Sequence, residues 1–302
     1  MKIYRFKLLC ALLAICLPLL TASLSSASLL PENLIIEDEF KPGYGLPVGK
    51  VRQIQGEVVV MHADQLRGYW AKKFLPLYQG DTIVTLETGK VRLGLNDGST
   101  LTLTTDTKLT INLSVYNPEK KVRSSFFNMV FGKVLFAVRK LTDFKSSQVK
   151  TKTFTAVVGV RGSQWVEEVT DKFTEITALI NTKLGVIGTA YPEAEPVILE
   201  DFEQVTVYEG QPPGKVVKVS NKQLKQFEED FTIIDDGSEE YNSGPVEGYS
   251  EVGPEILLAI EPILPDDGPP GDFELPGPDD PRPPDLPDER PELADLPPPP
   301  TR

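Results

Sequence analysis

From Val48 onward the chain alternates apolar and polar positions in short runs closed by glycine, aspartate or asparagine. Val51-x-Gln53-x-Gln55 leads into Glu57-Val-Val-Val-Met61, and Thr82–Leu86 follows a Gly80-Asp81 turn. Val91-x-Leu93-x-Leu95 ends at Asn96-Asp97-Gly98, a tight-hairpin signal. Leu101-x-Leu103 and Leu109-x-Ile111-x-Leu113 keep the same period. Period two puts alternate side chains on one face, so each run predicts a half-buried strand. Residues 124–139 are denser in apolar side chains and are split by Gly132-Lys133; they predict two buried strands, with a short helix open for the first half. Val166–Val169, Ile176–Ile180, Val186-Ile187, Val197–Leu199 and Val205–Tyr208 continue the strand pattern. At Ser220-Asn-Lys-Gln223 the period changes. The capping-box spacing followed by Leu224, Phe227 and Phe231 predicts one helix over about Asn221–Phe231.

These elements predict an all-β domain, a β-sandwich or jelly-roll-like stack, with a short C-terminal helix. Gly-Lys-Val recurs at Gly49, Gly89, Gly132 and Gly214, which keeps a solenoid-like β stack as the alternative. The expected division is residues 48–219 for the β domain and 220–234 for the helix.

The stretch Thr151–Trp165, TKTFTAVVGVRGSQW, organises the rest. Phe154–Val160 is nearly continuous apolar and β-branched sequence, the mark of a buried strand. Arg161, between Val160 and Gly162, needs a carboxylate or several carbonyls if buried; it reads either as a fork that pins loops or as a reader of an anionic group. The stretch resembles the signature of the FecR domain family, a Thr-Pro-x-Ala segment followed by Val-Arg-Gly-Thr. Ala156, Val160, Arg161 and Gly162 match, with Gly159 just before them. Ser163 keeps the hydroxyl of the usual threonine, and Lys152 or Phe154 stands where the proline would be. The Gly-x-Val opening, the Gly-Asp turn and the Asp-Gly-Ser hairpin extend the resemblance over about Val48–Gly210. It implies a FecR-like fold and a role in envelope signalling or in binding a partner. The best-known FecR proteins sense a loaded outer-membrane receptor and regulate a sigma factor, using a cytoplasmic segment and a membrane helix ahead of the domain. Here only six residues separate Met1 from the apolar run at Leu8, so a stand-alone binding or scaffolding module is the expectation.

Charge and composition add a compartment. Lys2, Arg5 and Lys7 precede an apolar run to Leu20 and small residues to Ser28, so residues 1–27 read as a cleaved signal peptide and the mature chain as periplasmic or secreted, without a membrane span. Both cysteines, Cys10 and Cys16, lie in that segment. Residues 28–47 read as an extended leader, partly ordered at best. The net charge of −13 is concentrated in residues 244–302, which hold 15 acids, three arginines and 17 of the 27 prolines. From residue 235 the chain therefore reads as a disordered Pro-rich acidic tail.

Candidate chemistry is sparse. No zinc motif, phosphate loop or Gly-x-Ser-x-Gly elbow is present, and His62 is the only histidine. Neither an enzyme nor a cofactor or metal is expected. Tyr69 and Trp70, grouped with Phe74, Tyr78 and several cations, are candidates for a binding loop or for a cover over the sandwich edge. Residues 116–152 hold nine Lys/Arg and two acids, which adds Lys120, Lys121 and Arg123 to the candidate surface. The partner so implied is a protein or an anionic envelope polymer, not nucleic acid.

Overall fold

The computed structural model describes residues 29–63, 66–160 and 162–234. The signal-peptide and tail expectations, and Arg161 itself, lie outside the described residues. Two sheets pack face to face. Sheet I runs in the order β1 (Ile35–Ile36), β4 (Arg67–Trp70), β3 (Val58–Met61), β6 (Thr82–Thr85), β9 (Thr107–Asn117), the first part of β10 (Val122–Ala137), β11 (Ser146–Lys152), β12 (Ala156–Val160), β15 (Leu184–Gly188) and β16 (Val197–Leu199). Sheet II runs β5 (Pro76–Leu77), β2 (Gly49–Gln55), β7 (Lys90–Leu95), β8 (Thr100–Leu103), the second part of β10, β13 (Gln164–Val169), β14 (Phe173–Ala178), β17 (Glu203–Tyr208) and β18 (Val217–Lys218). All pairings are antiparallel except β1–β4 and β10–β11. Antiparallel hairpins around one shared core make a sandwich; a solenoid would stack its coils in parallel.

Residues 124–139 form neither a helix nor two separate strands. Residues 124–137 lie in one 16-residue strand, β10, that belongs to both sheets, and 138–139 follow its end. Ser125, Phe127 and Met129 point into the core, and beyond Gly132 so do Val134, Phe136 and Val138. The inward set changes from odd to even numbers because the pairing with β9 slips between Met129 and Phe131. A bulge of this kind bends a strand and increases its twist. Gly132 completes the turn at φ +101, with Thr107 packed so closely that a Cβ there would lie 2.5 Å from its Cα. The density of the stretch thus records a strand that buries one face in each sheet in turn.

The inner faces meet in one core that includes Val51, Leu93, Leu101, Phe136 and Trp165 from sheet II and Val60, Ile83, Leu109, Phe127 and Val158 from sheet I. The helix α1 (Asn221–Phe231) starts at the Ser220 cap, whose hydroxyl accepts from the Gln223 amide at 3.2 Å. It lays Phe227 and Phe231 on Val166 and Leu179 at the outer side of sheet II, with Leu135, Val219 and Leu224 packed around them. The leader is better anchored than expected: β1 adds to the edge of sheet I, and Leu34 and Ile36 pack with Val59, Met61 and Val84.

Candidate binding face

The candidates read from sequence separate in space. Tyr69 and Trp70 alternate across β4, so Trp70 is exposed while Tyr69 is buried. Tyr69 therefore leaves the candidate surface, because the loop assumed for it is a strand of sheet I. Its ring packs against Phe40 and His62 at centroid distances of 5.0 and 5.1 Å. Arg123 leaves it too, being fully buried. Its Nη1 donates to Asp97 Oδ2 (3.2 Å) and to the Arg139 carbonyl (2.7 Å), and its Nη2 to Ser147 Oγ (2.6 Å). Asp97 also accepts from Ser99 N and Oγ, both at 2.9 Å. Through Arg123 this carboxylate ties the β7–β8 hairpin to β10, and the guanidinium in turn holds Ser147 of β11. Burial draws the Arg123 pKa down, and Asp97 opposes the shift. Lys120 and Lys121 are exposed in the β9–β10 turn, apart from Trp70 on β4. The basic run 116–152 is not one face, since Lys133 lies on sheet II, held by Glu168 at 3.0 Å and Asp230 at 2.9 Å.

The family-motif residues occupy the crossing from β12 to β13. Ala156, Gly159 and Val160 are buried in β12. Gly162 lies where a Cβ would meet Lys140 Cα at 2.6 Å, so only glycine fits against that backbone. The Ser163 hydroxyl donates to the Lys183 carbonyl and accepts from the Lys183 amide, both at 3.3 Å.

Two further acids are buried: Asp81, read from sequence only as a turn residue beside Gly80, and Glu167, which was not singled out. Asp81 is fully buried; Oδ1 lies 2.8 Å from His62 Nδ1, and Oδ2 accepts from the Tyr78 amide at 2.8 Å. His62 Nε2 donates to the Lys41 carbonyl at 2.8 Å, so the other ring nitrogen and the carboxyl share one proton. The histidine thereby pins the leader. Burial raises the Asp81 pKa against the pull of both hydrogen bonds. Glu167 sits on the inner face of β13 between Val134 and Ile176. Its Oε1 accepts from Trp165 Nε1 at 2.7 Å and from the Thr151 hydroxyl on the facing sheet, while Oε2 has no partner among the described residues. Burial pushes its pKa up to about 7. Among the described residues no three His, Cys, Asp or Glu side chains are placed to hold a metal ion, and no helix is long and apolar enough to cross a membrane.

The outer face of β2 and β7 is basic. Neither strand contains an acid, and each contains two cations: Lys50 and Arg52, then Lys90 and Arg92. The pairing slips between Val51 and Gln53, so Arg52 is bulged. This re-aims the side chain over Gly94, where a Cβ would lie 2.5 Å from its Nε. Arg92 donates from Nη1 to Gln53 Oε1 (2.7 Å) and from Nε to Thr102 Oγ1 (3.2 Å), both neutral groups. Burial lowers its pKa with no acid to oppose the shift. Beside these cations lies an open hollow of about 380 Å³, lined by Lys50, Arg52, Phe74, Pro76 and Asn96 among others. Lys50 Nζ stands 5.4 Å from the centre of the exposed Phe74 ring. Lys50, Arg52 and Arg92 have no carboxylate partner among the described residues, and cations so placed beside an exposed ring suit an acidic, partly apolar segment.

Fold and face together define a two-sheet β module with a basic outer face on β2 and β7. Residues 81–182 match the family model described as FecR protein, so the chain carries a FecR domain, as the TKTFTAVVGVRGSQW stretch implies. The match covers β6 to β14 and includes Lys90 and Arg92, while Lys50 and Arg52 precede it. No curated protein matches the chain. Two solved structures, both of a candidate anti-sigma factor from Parabacteroides distasonis ATCC 8503 at 1.65 and 2.50 Å, are similar at 17% identity and a TM-score of 0.38. Each alignment covers 48% of this chain and 63% of theirs, so the chain spans less than two thirds of those structures.

Proposed function

We propose that the chain is a non-catalytic binding module of the cell envelope, exported by its signal peptide, whose β2–β7 face engages an acidic protein segment. The observation that carries this reading is the set Lys50, Arg52 and Arg92, outward on two acid-free strands beside the Phe74 hollow. Uncompensated surface cations are retained at a cost in self-repulsion, and they gain a counter-charge when an acidic partner docks. Binding of poly-L-glutamate to the full chain tests it. Lys50→Glu together with Arg52→Glu lowers the affinity at least about tenfold at low salt if the face is the site. Equal affinity in the variant overturns the reading.

The FecR match supports a second role for the same module, as an envelope signalling regulator. Deleting the gene in the native host and following sigma-factor-dependent transcription checks it; an unchanged transcript profile removes that role.

A further inference from the structure

The helix delivers the end of the described chain onto the basic face. Lys90 Nζ donates to the Glu229 and Thr232 carbonyls at 3.4 and 3.3 Å, capping the C-terminal end of α1, where the helix dipole favours a cation. The Ile234 amide then donates to Gln55 Oε1, on β2, at 3.0 Å. The residues that follow, 235–251, include Asp235, Asp236, Glu239, Glu240, Glu247 and Glu251 and not one Lys or Arg. They also carry Tyr241, Pro245 and Tyr249. From Gln55 back to Lys50 a strand covers about 17 Å. Six residues of extended chain from Ile234 reach about 20 Å, enough to bring Glu239 and Glu240 to the Lys50–Arg52 end.

We propose that residues 235–251 are an internal occupant of the β2–β7 face: their carboxylates pair with Lys50, Arg52 and Arg92, and their tyrosine and proline side chains enter the Phe74 hollow. This rests on the reading of that face as a site for acidic protein segments and makes the segment a built-in competitor for it. A tether this short keeps the local concentration near millimolar, so a weak contact suffices to compete. Exposed charge pairs are screened by salt, so the contact is salt-sensitive. The Lys120–Lys121 turn is a weaker match, because the chain does not leave the fold beside it.

The test uses the full chain with Cys10→Ser and Cys16→Ser, and a nitroxide on Ser250→Cys. At low salt the amide signals of Lys50, Arg52 and Gly94 broaden. They recover at about 1 M salt, where the screening length falls to about 3 Å. They also recover when Lys50→Glu and Arg52→Glu are introduced. Broadening that survives both changes reflects tethering alone and overturns the proposal, as does broadening centred on Lys120 and Lys121. In a second arm, Asp235→Asn, Asp236→Asn, Glu239→Gln and Glu240→Gln together raise the affinity of the full chain for poly-L-glutamate about fivefold at low salt. An unchanged affinity overturns the competition. If Lys50→Glu with Arg52→Glu fails to weaken poly-L-glutamate binding, the proposed function falls; if it weakens binding but neutralising the segment does nothing, only the internal contact falls.

Discussion

Glu167→Gln isolates a carboxyl that the core holds protonated near neutral pH with no charged partner contributing to the shift. Val134 and Ile176 flank it in sheet II, and Thr151 meets it from sheet I. No charged side chain contributes to its shift, which burial drives from an ordinary 4.5 to about 7. Each unit is 1.36 kcal/mol, so ionising Glu167 inside the fold costs about 3 kcal/mol. Below pH 4.5 the carboxyl is protonated in both states and the full stability is present. Between 4.5 and about 7 the folded chain holds the proton that the unfolded chain releases, so stability falls as pH rises. Above about 7 both states are ionised and the loss is complete. Glutamine keeps the acceptor for Trp165 and Thr151 and cannot ionise. Thermal unfolding of the full chain and the variant from pH 5 to 8 gives two Tm curves. Other titrating groups, Asp81 and Glu175 among them, act on both curves and cancel. About 2.5 kcal/mol of the Glu167 cost falls between pH 5 and 8, the rest having gone below pH 5; for a fold of this size 1 kcal/mol moves Tm by roughly 2–4 °C, so the variant should gain roughly 5–10 °C on the parent across that range. A difference that stays flat with pH would refute the assignment of Glu167 as a buried neutral acid.

Arg123→Ala should lower stability by about 3–5 kcal/mol, because it leaves Asp97 buried without its cation. Denaturant unfolding reads the loss, and adding Asp97→Asn should cost less than the sum of the two single changes, since both belong to one network. Gly132→Ala should destabilise by more than about 1 kcal/mol, because φ +101 and the Thr107 backbone both exclude a Cβ. A variant that melts with the parent would show that β10 does not need its change of sheet at that residue.

Much of this protein follows from local pattern. Alternation in Val91-x-Leu93-x-Leu95 and Leu109-x-Ile111-x-Leu113 marks strands because one face of each is buried, and Leu93, Leu109 and Ile111 have no exposed surface. The Ser220 capping box marks α1 because its bonds join residues three apart. The FecR resemblance is legible for a similar reason, its glycines and hydroxyl being tied to one crossing. What the pattern leaves undecided is which residues meet across the fold. Arg123 and Tyr69 look like surface groups until β10 and β4 are paired with their neighbours. Trp165, Glu167 and Val169 share a parity, which does hint at an inward Glu167. The hint becomes a statement only when Thr151 is seen on the opposite sheet, 16 residues away in the chain. The basic face depends even more on tertiary structure. Lys50, Arg52, Lys90 and Arg92 fall in two separate stretches of ordinary composition. Pairing of β2 with β7 and a one-residue bulge at Arg52 bring them together, and the Ile234 amide, at the end of the described residues, meets Gln55 on the same strand. Register and long-range pairing are set by the burial of the whole core, which no local window contains.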